Sequence, residues 1–418
     1  MNSKTLYAII GMMAVVLMLS SCKAEEEGPS IEDHPLHYTI PNITPTTDIP
    51  VGAIYSRTYI DTAHYRRLIS KRDMKGNPWP QLCPNVRPVL GRYNPSDINT
   101  SLTADLFQQH LRWAQDAGID FFIFPTISYD ANQSDMMNQN DLNWVNYAEG
   151  LHANSMGLIN WGKMKFALPV NMQNFTSGVS NTNVIEKVDV DSTGKSKRLD
   201  NLYTYFVSLA ERFFVGDSLY YKVDGTKPLI VLWNTQNLYS ENPELLYQNI
   251  RDSIYKYTNV EVYLLARQNN WSPSARYVNF FLRGKVDAVY MNNMYSQTDM
   301  TRQYLYPQMI NENWKINKEF LMNNYGIDFV PTVAPSFNAW MAGNGQNNYN
   351  WPIVDKDEQT YRTMCNVAKM NLGQRPMVIL DSFNDWLWDT AVEPTDPYYG
   401  NGYGMKYLDI TRQEFKVN

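Results

Sequence analysis

Four acidic side chains lie within 13 residues near the C-terminus and are the strongest candidates for chemistry in this 418-residue chain. Two carboxyl groups that flank a glycosidic bond, one protonated and one ionised, can hydrolyse that bond. The alternative is a solvated acidic loop in which one of the acids caps a turn. The four acids are Asp381, Asp385, Asp389 and Glu393, and we take the last three as candidate catalytic residues.

Amide, hydroxyl and aromatic side chains follow most of the apolar runs in the chain. Such side chains suit a polyhydroxylated ligand, because amides donate to and accept from sugar hydroxyls and pocket walls are often aromatic. The alternative is that Asn, which is abundant here, simply populates loops. Trp and Asn coincide at four strand ends, which favours a binding site. The candidate binding residues are Arg57, Asp130, Asn171, Trp233, Asn234, Trp271, Asn292, Tyr295, Trp340, Asn384, Trp386 and Trp388.

Eight short apolar runs are the elements that must position these residues. The runs are nearly continuous rather than alternating, which is typical of parallel strands buried on both faces. They predict an α/β fold, a (β/α)8 TIM barrel with long βα loops, in which functional residues follow the C-terminal ends of the strands. An open doubly wound sheet would carry a glycine-rich turn after its first strand, and residues 58–61 read Thr-Tyr-Ile-Asp instead. The predicted strands are Val51–Arg57, Phe121–Ile127, Lys165–Val170, Pro228–Trp233, Val260–Ala266, Val286–Met291, Phe329–Pro335 and Met377–Ser382.

Helical patterns lie between several of these runs. An apolar stripe from Leu102 to Ala114 predicts a helix with Gly118 at its C-terminal cap. Asn242 and Pro243 are typical of an N-cap and a first helical residue. A stripe from Phe206 to Phe213 ends at Gly216, and a longer stretch after Asp299 is expected to break at Pro307.

The N-terminal residues predict a secreted, lipid-anchored protein. Lys4 precedes an apolar run, residues 6–19, which has the length of a signal peptide. The run ends in Leu-Ser-Ser-Cys, which resembles a bacterial lipobox with Cys22 as the lipidated residue; an ordinary cleaved signal is the alternative. We expect residues 1–21 to be the lipoprotein signal, residues 22–50 an acidic tether and linker, and residues 51–418 the barrel. The predicted location is the outer membrane, exposed at the cell surface.

Charge and motifs argue against nucleic acid, cofactors and metals as partners of this chain. The net charge of −6 argues against nucleic-acid binding, which needs a basic face. The sequence has no Walker loop, HExxH, CxxC or GxSxG motif, so no cofactor and no metal are expected. The segment Asp189–Asp200 resembles the start of a calcium loop, but nearby basic residues favour a plain turn. Cys83 and Cys365 match no metal spacing and are expected to be buried thiols.

Two segments resemble the glycoside hydrolase family 99-like proteins, which include endo-α-mannosidases and WbsX-like proteins of polysaccharide loci. Phe383-Asn384-Asp385-Trp386, with Glu393-Pro394 after it, is similar to the family's aromatic-Asn-Glu-Trp … Glu-Pro signature. The segment from Arg87 to Asn94, with Ala117–Phe122 after it, is similar to the family's Pro-x-x-Gly-x-Tyr … Gly-Ile-Asp-x-Phe segment. The acidic tether also resembles the surface-export tag of lipoproteins from the Bacteroides group. The resemblance covers roughly residues 50–415 and implies a barrel that acts on glycans.

The sequence departs from the family at one catalytic position. Family mannosidases carry Glu-x-x-Glu, whereas this chain has Asp385 at the first position and Trp388 at the second. The resemblance implies that Asp385 acts as a base on the 2-hydroxyl of the substrate. Asp389, Glu393 or Asp130 would then have to replace the second acid.

Two interpretations therefore remain open. One is a retaining, endo-α-mannosidase-like glycoside hydrolase of a polysaccharide-utilisation system, which acts alongside other glycan-utilisation proteins. The other is a catalytically inactive barrel that binds glycan.

Overall fold

The computed structural model of the protein describes residues 30–57, 62–70, 83–93, 101–268, 281–291, 305–338, 341 and 353–417. The chain divides into two compact units, Met1–Thr39 and Ile40–Asn418. In the first unit, Ile31–Asp33 forms a short 3-10 helix. The second unit includes residues 40–50, which the sequence suggests as linker. Ile40 and Ile49 are buried in it, and the Ile43 N–H donates to Asn366 Oδ1 at 2.7 Å.

A closed ring of parallel strands forms the second unit, and it confirms the predicted (β/α)8 barrel. All eight predicted runs contain a strand, and each strand pairs in parallel with its neighbour in the chain. Strand one also pairs with strand eight, where Gly52 lies opposite Ile379. In order from strand one to strand eight, the bounds are Val51–Ile54, Phe121–Ile123, Lys165–Asn171, Lys227–Trp233, Tyr263–Gln268, Ala288–Met291, Asp328–Val330 continued by Thr332–Val333, and Val378–Leu380.

Strand seven is divided at Pro331, because proline has no N–H to donate to a neighbouring strand. Its first part pairs with strand six, and its second part pairs with strand eight. The Pro331 carbonyl accepts a hydrogen bond from the Ile379 N–H at 3.0 Å. The predicted run Phe329–Pro335 thus closes the barrel in two short pieces. Shorter pairs lie outside the ring, namely Lys222–Val223 beside strand four and Phe337–Asn338 with Ile353–Val354.

The interior of the barrel is filled by every second residue of each strand, because successive side chains in a strand point to opposite faces. On strand eight the inward residues are Met377 and Ile379, and on strand four they are Leu229 and Val231. The same alternation places the next residues, Asp381 and Trp233, at the C-terminal end of the interior. The pattern therefore carries polar and aromatic side chains to one mouth of the barrel.

Helices on the outside connect the strands, and several begin and end as their sequences predict. Asn242 caps its helix by accepting from the Leu245 N–H, with Pro243 at the first helical position. Pro307, where a break is expected, lies instead in the first turn of Tyr306–Tyr325, where a missing N–H costs no hydrogen bond. The described α-helices are Thr62–Ser70, Ser101–Asp116, Gln139–Glu149, Lys197–Leu209, Pro243–Thr258, Tyr306–Tyr325, Glu358–Met370 and Lys406–Phe415.

Short helical turns extend some of these elements. Lys197–Leu209 continues as a π-helix, Ala210–Phe214, and the chain then turns at Gly216 with a φ of +85°. The described 3-10 turns of this unit are Met172–Phe175, Ile185–Lys187 and Thr235–Asn237. Cys83 and Cys365 are buried and free, as expected. Within the described ranges, no helix has the length and apolar character needed to cross a membrane.

Candidate active site

A cavity of about 340 Å³ lies at the C-terminal ends of the barrel strands. It brings together four of the candidate residues from the ends of three strands: Arg57, Trp233, Asp385 and Trp388. The described lining consists of Ile54, Tyr55, Ser56, Arg57, Pro125, Thr126, Trp233, Arg267, Asp381, Asp385 and Trp388. The cavity is therefore polar, aromatic and charged, and it lies at the face where barrels of this class hold their functional residues.

Asp385 lies at the turn that follows strand eight. Its Oδ1 accepts hydrogen bonds from the backbone N–H groups of Leu387 at 3.0 Å and Trp388 at 3.3 Å. Burial raises the pKa of Asp385 to about 6, and the two N–H groups oppose that rise by stabilising the anion. Near neutral pH this carboxylate can take up and release a proton, as a catalytic base requires.

Asp381 is a second carboxylate on the same cavity, and it is the functional candidate that sequence reasoning missed. It is 9% exposed and directly follows strand eight. Its backbone N–H donates to the Val333 carbonyl at 2.8 Å, which fixes the end of the strand against strand seven. The signal was present in the sequence, because Met377, Ile379 and Asp381 share one face of a strand and the first two fill the interior.

Two indoles form apolar walls in the cavity. The Trp233 Nε1 donates to the Tyr290 hydroxyl at 2.8 Å, and the Arg267 guanidinium lies 5.5 Å from the centroid of the Trp233 ring. Trp388 stacks on Phe337, with ring centroids 5.4 Å apart and an interplanar angle of 20°. Because Trp388 is 38% exposed, one face of its ring is open to a ligand.

Arg57 is held at the edge of the cavity by an ion pair with Asp141. Burial opposes ionisation of Asp141, but the Ser128 N–H and the Arg57 guanidinium together lower its pKa. The Arg57 guanidinium also lies 5.9 Å from the centroid of the Trp144 ring. These contacts fix Arg57 beside the space that a substrate would occupy.

Asn384 connects the ends of strands one and eight. Its Oδ1 accepts from the Ser56 N–H at 2.7 Å, and its Nδ2 donates to the Ser56 carbonyl at 3.2 Å. The two bonds join the chain segments beyond the last paired residues of strands one and eight, where backbone hydrogen bonds between the strands have ended. They keep Ser56 and Asp385 close together. Asn384 thus holds two cavity residues, Ser56 and Asp385, in position, and it does not line the cavity itself.

Glu393 is fully buried in the protein and does not line the cavity. Its Oε2 accepts from the Tyr93 hydroxyl and, at 3.0 Å, from the Trp386 indole N–H. Its Oε1 lies 3.3 Å from His110 Nε2, and His110 Nδ1 lies 2.9 Å from the Tyr55 hydroxyl. Glu393 and Trp386 therefore form a buried network that holds the loop after strand eight.

Asp389 faces a different cavity, of about 560 Å³, on the other side of the same loop. A left-handed backbone, with a φ of 57°, turns it away from Asp385. Lys356 Nζ lies 3.2 Å from Asp389 Oδ1 and 3.0 Å from the Ala391 carbonyl. Burial raises the pKa of Asp389 and lowers that of Lys356, while the ion pair opposes both shifts. The geometry places Asp389 in a buried ion pair.

The remaining described candidates lie outside the cavity lining. Asp130 accepts from the N–H and Nδ2 of Asn132 in a local turn, at 3.0 and 3.2 Å. Asn234 Nδ2 donates to Asn171 Oδ1 at 2.8 Å, which joins the ends of strands three and four near Trp233. The candidates Trp271, Asn292, Tyr295 and Trp340 lie outside the described residues.

The calcium-like segment forms a turn with ionic contacts. Asp191 Oδ1 accepts from the backbone N–H groups of Thr193 and Lys195, at 2.8 and 3.1 Å. Asp189 pairs with Arg198, and Asp200 Oδ1 lies 2.8 Å from Lys195 Nζ. In the part of the chain that the structure describes, no group of three acidic, His or Cys side chains is arranged to hold a metal ion.

Solved structures with the same fold are glycoside hydrolases or resemble them. A glycoside hydrolase-like protein matches with 26% identity and a TM-score of 0.70, over 93% of this chain and 99% of that chain. The GH99 endo-α-mannosidase of Bacteroides thetaiotaomicron matches with 14% identity and a TM-score of 0.54, over 88% of this chain and 97% of that chain. The same enzyme in complex with bis-tris-propane matches with 13% identity and a TM-score of 0.56.

These matches confirm the predicted resemblance to family 99-like barrels at the level of the fold. No protein-family model matches the chain, and a search of curated proteins finds no match. The neighbours are thus a glycoside hydrolase and a protein described as glycoside hydrolase-like.

Proposed function

We propose that this protein is a retaining glycoside hydrolase, similar to endo-α-mannosidases, that cleaves polysaccharide or oligosaccharide chains. The observation that carries the proposal is the position of Asp385, which lies on a cavity at the C-terminal mouth of the barrel. The exposed face of Trp388 and the ring of Trp233 offer stacking surfaces for sugar rings beside that carboxylate. Hydroxyl-rich ligands need such a combination of flat apolar surfaces and a few polar groups.

The chemistry assigned to Asp385 follows from its surroundings. With a pKa raised to about 6 by burial, it is largely ionised at neutral pH and is basic enough to accept a proton from a sugar hydroxyl. The resemblance to family 99-like mannosidases implies that this hydroxyl is the 2-hydroxyl of the substrate, whose oxygen would attack the anomeric carbon. Asn384 and the N–H groups of residues 387 and 388 keep the carboxylate in place during the reaction.

A barrel that binds glycan without cleaving it is the second candidate. The observation that favours it is the indole of Trp388 at the position where family mannosidases carry their second acid. In that case Asp385 serves as a hydrogen-bond acceptor for sugar hydroxyls. The cavity and the aromatic walls suit both functions.

The test is a screen of α-mannan and other surface polysaccharides for turnover and for retention, with Asp385→Asn as the variant. In a hydrolase, the amide should lower the rate about 10²-fold or more and leave binding largely intact. In a binding protein, there is no turnover and the same change weakens retention by about 1–3 kcal/mol. Full turnover by Asp385→Asn would place the chemistry elsewhere.

The protein is further proposed to be lipid-anchored at Cys22 and exposed on the outer membrane. The support is the N-terminal sequence, residues 1–29, which lies outside the described residues. Labelling of cells with a fatty-acid analogue should mark the wild-type protein and spare Cys22→Ala. Equal labelling of both proteins would contradict the anchor.

A further inference from the structure

Asp381 and Asp385 are the carboxylates in the described lining of the cavity. Asp381 extends the inward face of strand eight, two residues after Ile379, and its backbone is fixed by the hydrogen bond to Val333. Asp385 approaches the same space from the turn that follows. Glycosidic bonds are cleaved by two such groups, one on each side of the bond.

The other acids of the segment have different surroundings. Asp389 is paired with Lys356 and lines the second cavity. Glu393 is enclosed by Tyr93, Trp386 and His110 and has no exposed surface. Neither acid can reach a sugar in the first cavity without a rearrangement of this loop. The geometry therefore leaves Asp381 as the partner that Asp385 would need.

The hydrogen bonds that Asp385 accepts suit it to the role of the base. Asp385 accepts two backbone N–H groups on one oxygen, an arrangement that stabilises the anion. Arg57 is paired with Asp141, and Arg267 is the other cation in the described lining of the cavity.

We propose that Asp381 is the second catalytic carboxyl and the proton donor to the leaving glycosidic oxygen, an inference that rests on the proposed hydrolase function. In the first step, Asp385 removes the proton of the attacking hydroxyl, whose oxygen bonds to the anomeric carbon. The glycosidic C–O bond breaks with its electron pair on the leaving oxygen, which takes the proton of Asp381. In the second step, Asp381 takes a proton from water as the water oxygen bonds to that carbon. The bond between the carbon and the sugar oxygen formed in the first step breaks with its electron pair on that oxygen, which recovers its proton from Asp385.

The test compares two substrates of the same sugar in Asp381→Asn. One is the polysaccharide that the wild-type protein cleaves, and the other is the corresponding glycosyl fluoride, whose leaving group departs without a proton. Loss of a proton donor should lower the rate on the polysaccharide by about 10²–10⁴-fold and change the first step with the fluoride little. In Asp385→Asn, both rates should fall, because the base is needed for both substrates.

The ratio of the two rates is measured within one sample, so a partly unfolded variant does not change it. Asp381→Ser, which is smaller and keeps a hydroxyl, should give the same ratio, and Asp409→Asn on the last helix should behave as wild type. Equal losses on both substrates in Asp381→Asn, or no loss on either, would overturn the assignment and leave the proposed hydrolase intact. If the wild-type protein cleaves neither substrate, the proposed function itself fails.

Discussion

Replacing Asp385 by Asn should stabilise the folded protein at neutral pH while it removes activity. The pKa of this carboxyl is raised from 3.8 to about 6 in the folded state. A difference of about 2 units corresponds to about 3 kcal/mol, at 1.36 kcal/mol for each unit. The ionised carboxylate therefore makes folding less favourable, and an amide of the same shape avoids that cost. The amide of the variant would still offer an oxygen to the N–H groups of Leu387 and Trp388.

The sign of the pH dependence follows from linkage. Because the folded-state pKa lies above the unfolded value, the contribution of Asp385 to stability is complete below pH 3.8 and is lost as the pH rises through about 6. The free energy of unfolding of Asp385→Asn minus that of wild type should grow by about 2 kcal/mol between about pH 4.5 and pH 8.

Urea unfolding of both proteins at these two pH values measures the difference, in which the titration of all other groups cancels. Asp409→Asn, which removes a carboxyl from the exposed side of the last helix, is the matched control. The free energy of unfolding of this control should stay within about 0.5 kcal/mol of the wild-type value at both pH values. If Asp385→Asn were less stable than wild type by the same amount at both pH values, the claim that the buried, ionised Asp385 destabilises the fold would be refuted.

Three further changes test separate parts of the site. Glu393→Gln should lower the free energy of unfolding by about 2–4 kcal/mol, because a neutral amide accepts less strongly from Tyr93 and Trp386 and has no second acceptor oxygen for His110. An unchanged urea midpoint with lost activity would assign it a catalytic role instead. Trp388→Ala should raise KM about 3–10-fold with kcat unchanged, since a stacking face is lost; steady-state kinetics on the polysaccharide decide this. Gly52→Ala should cost about 1–3 kcal/mol by clashing with the Phe121 ring inside the barrel, and an unchanged melting temperature would contradict that packing.

The sequence predicted the barrel because its strands are buried on both faces and leave continuous apolar runs. Strand three, Lys165–Asn171, and strand four, Lys227–Trp233, differ from the predicted bounds by one residue. The two parts of strand seven could not be foreseen with the same certainty, because the pattern of an apolar run does not reveal which N–H groups a neighbouring strand needs. The effect of Pro331 on strand pairing becomes clear only when the positions of strands six and eight on its two sides are known.

The candidate site was predicted less completely, for reasons that lie in the loop after strand eight. Asp385 and Trp388 reach the cavity as expected. Asp389 does not, because a left-handed residue reverses the direction of the side chain, and spacing along a chain does not show that reversal. Glu393 is buried by Tyr93 and His110, which come from positions about 300 residues earlier in the sequence. Such contacts are set by the fold rather than by any local pattern.

The chain enters the barrel unit at the face where the parallel strands begin, away from the cavity. Residues 40–50 lie before the start of strand one. The Ile49 carbonyl accepts a hydrogen bond from Lys416 Nζ at 2.9 Å, and the Ile49 N–H donates to the carbonyl of Phe415 at the end of the last helix. Parallel strands begin at this face and end at the other, where the cavity opens. The mouth beside Asp385 is therefore at the opposite end of the barrel from residues 40–50, so a long substrate bound at the cavity need not contact this entry segment.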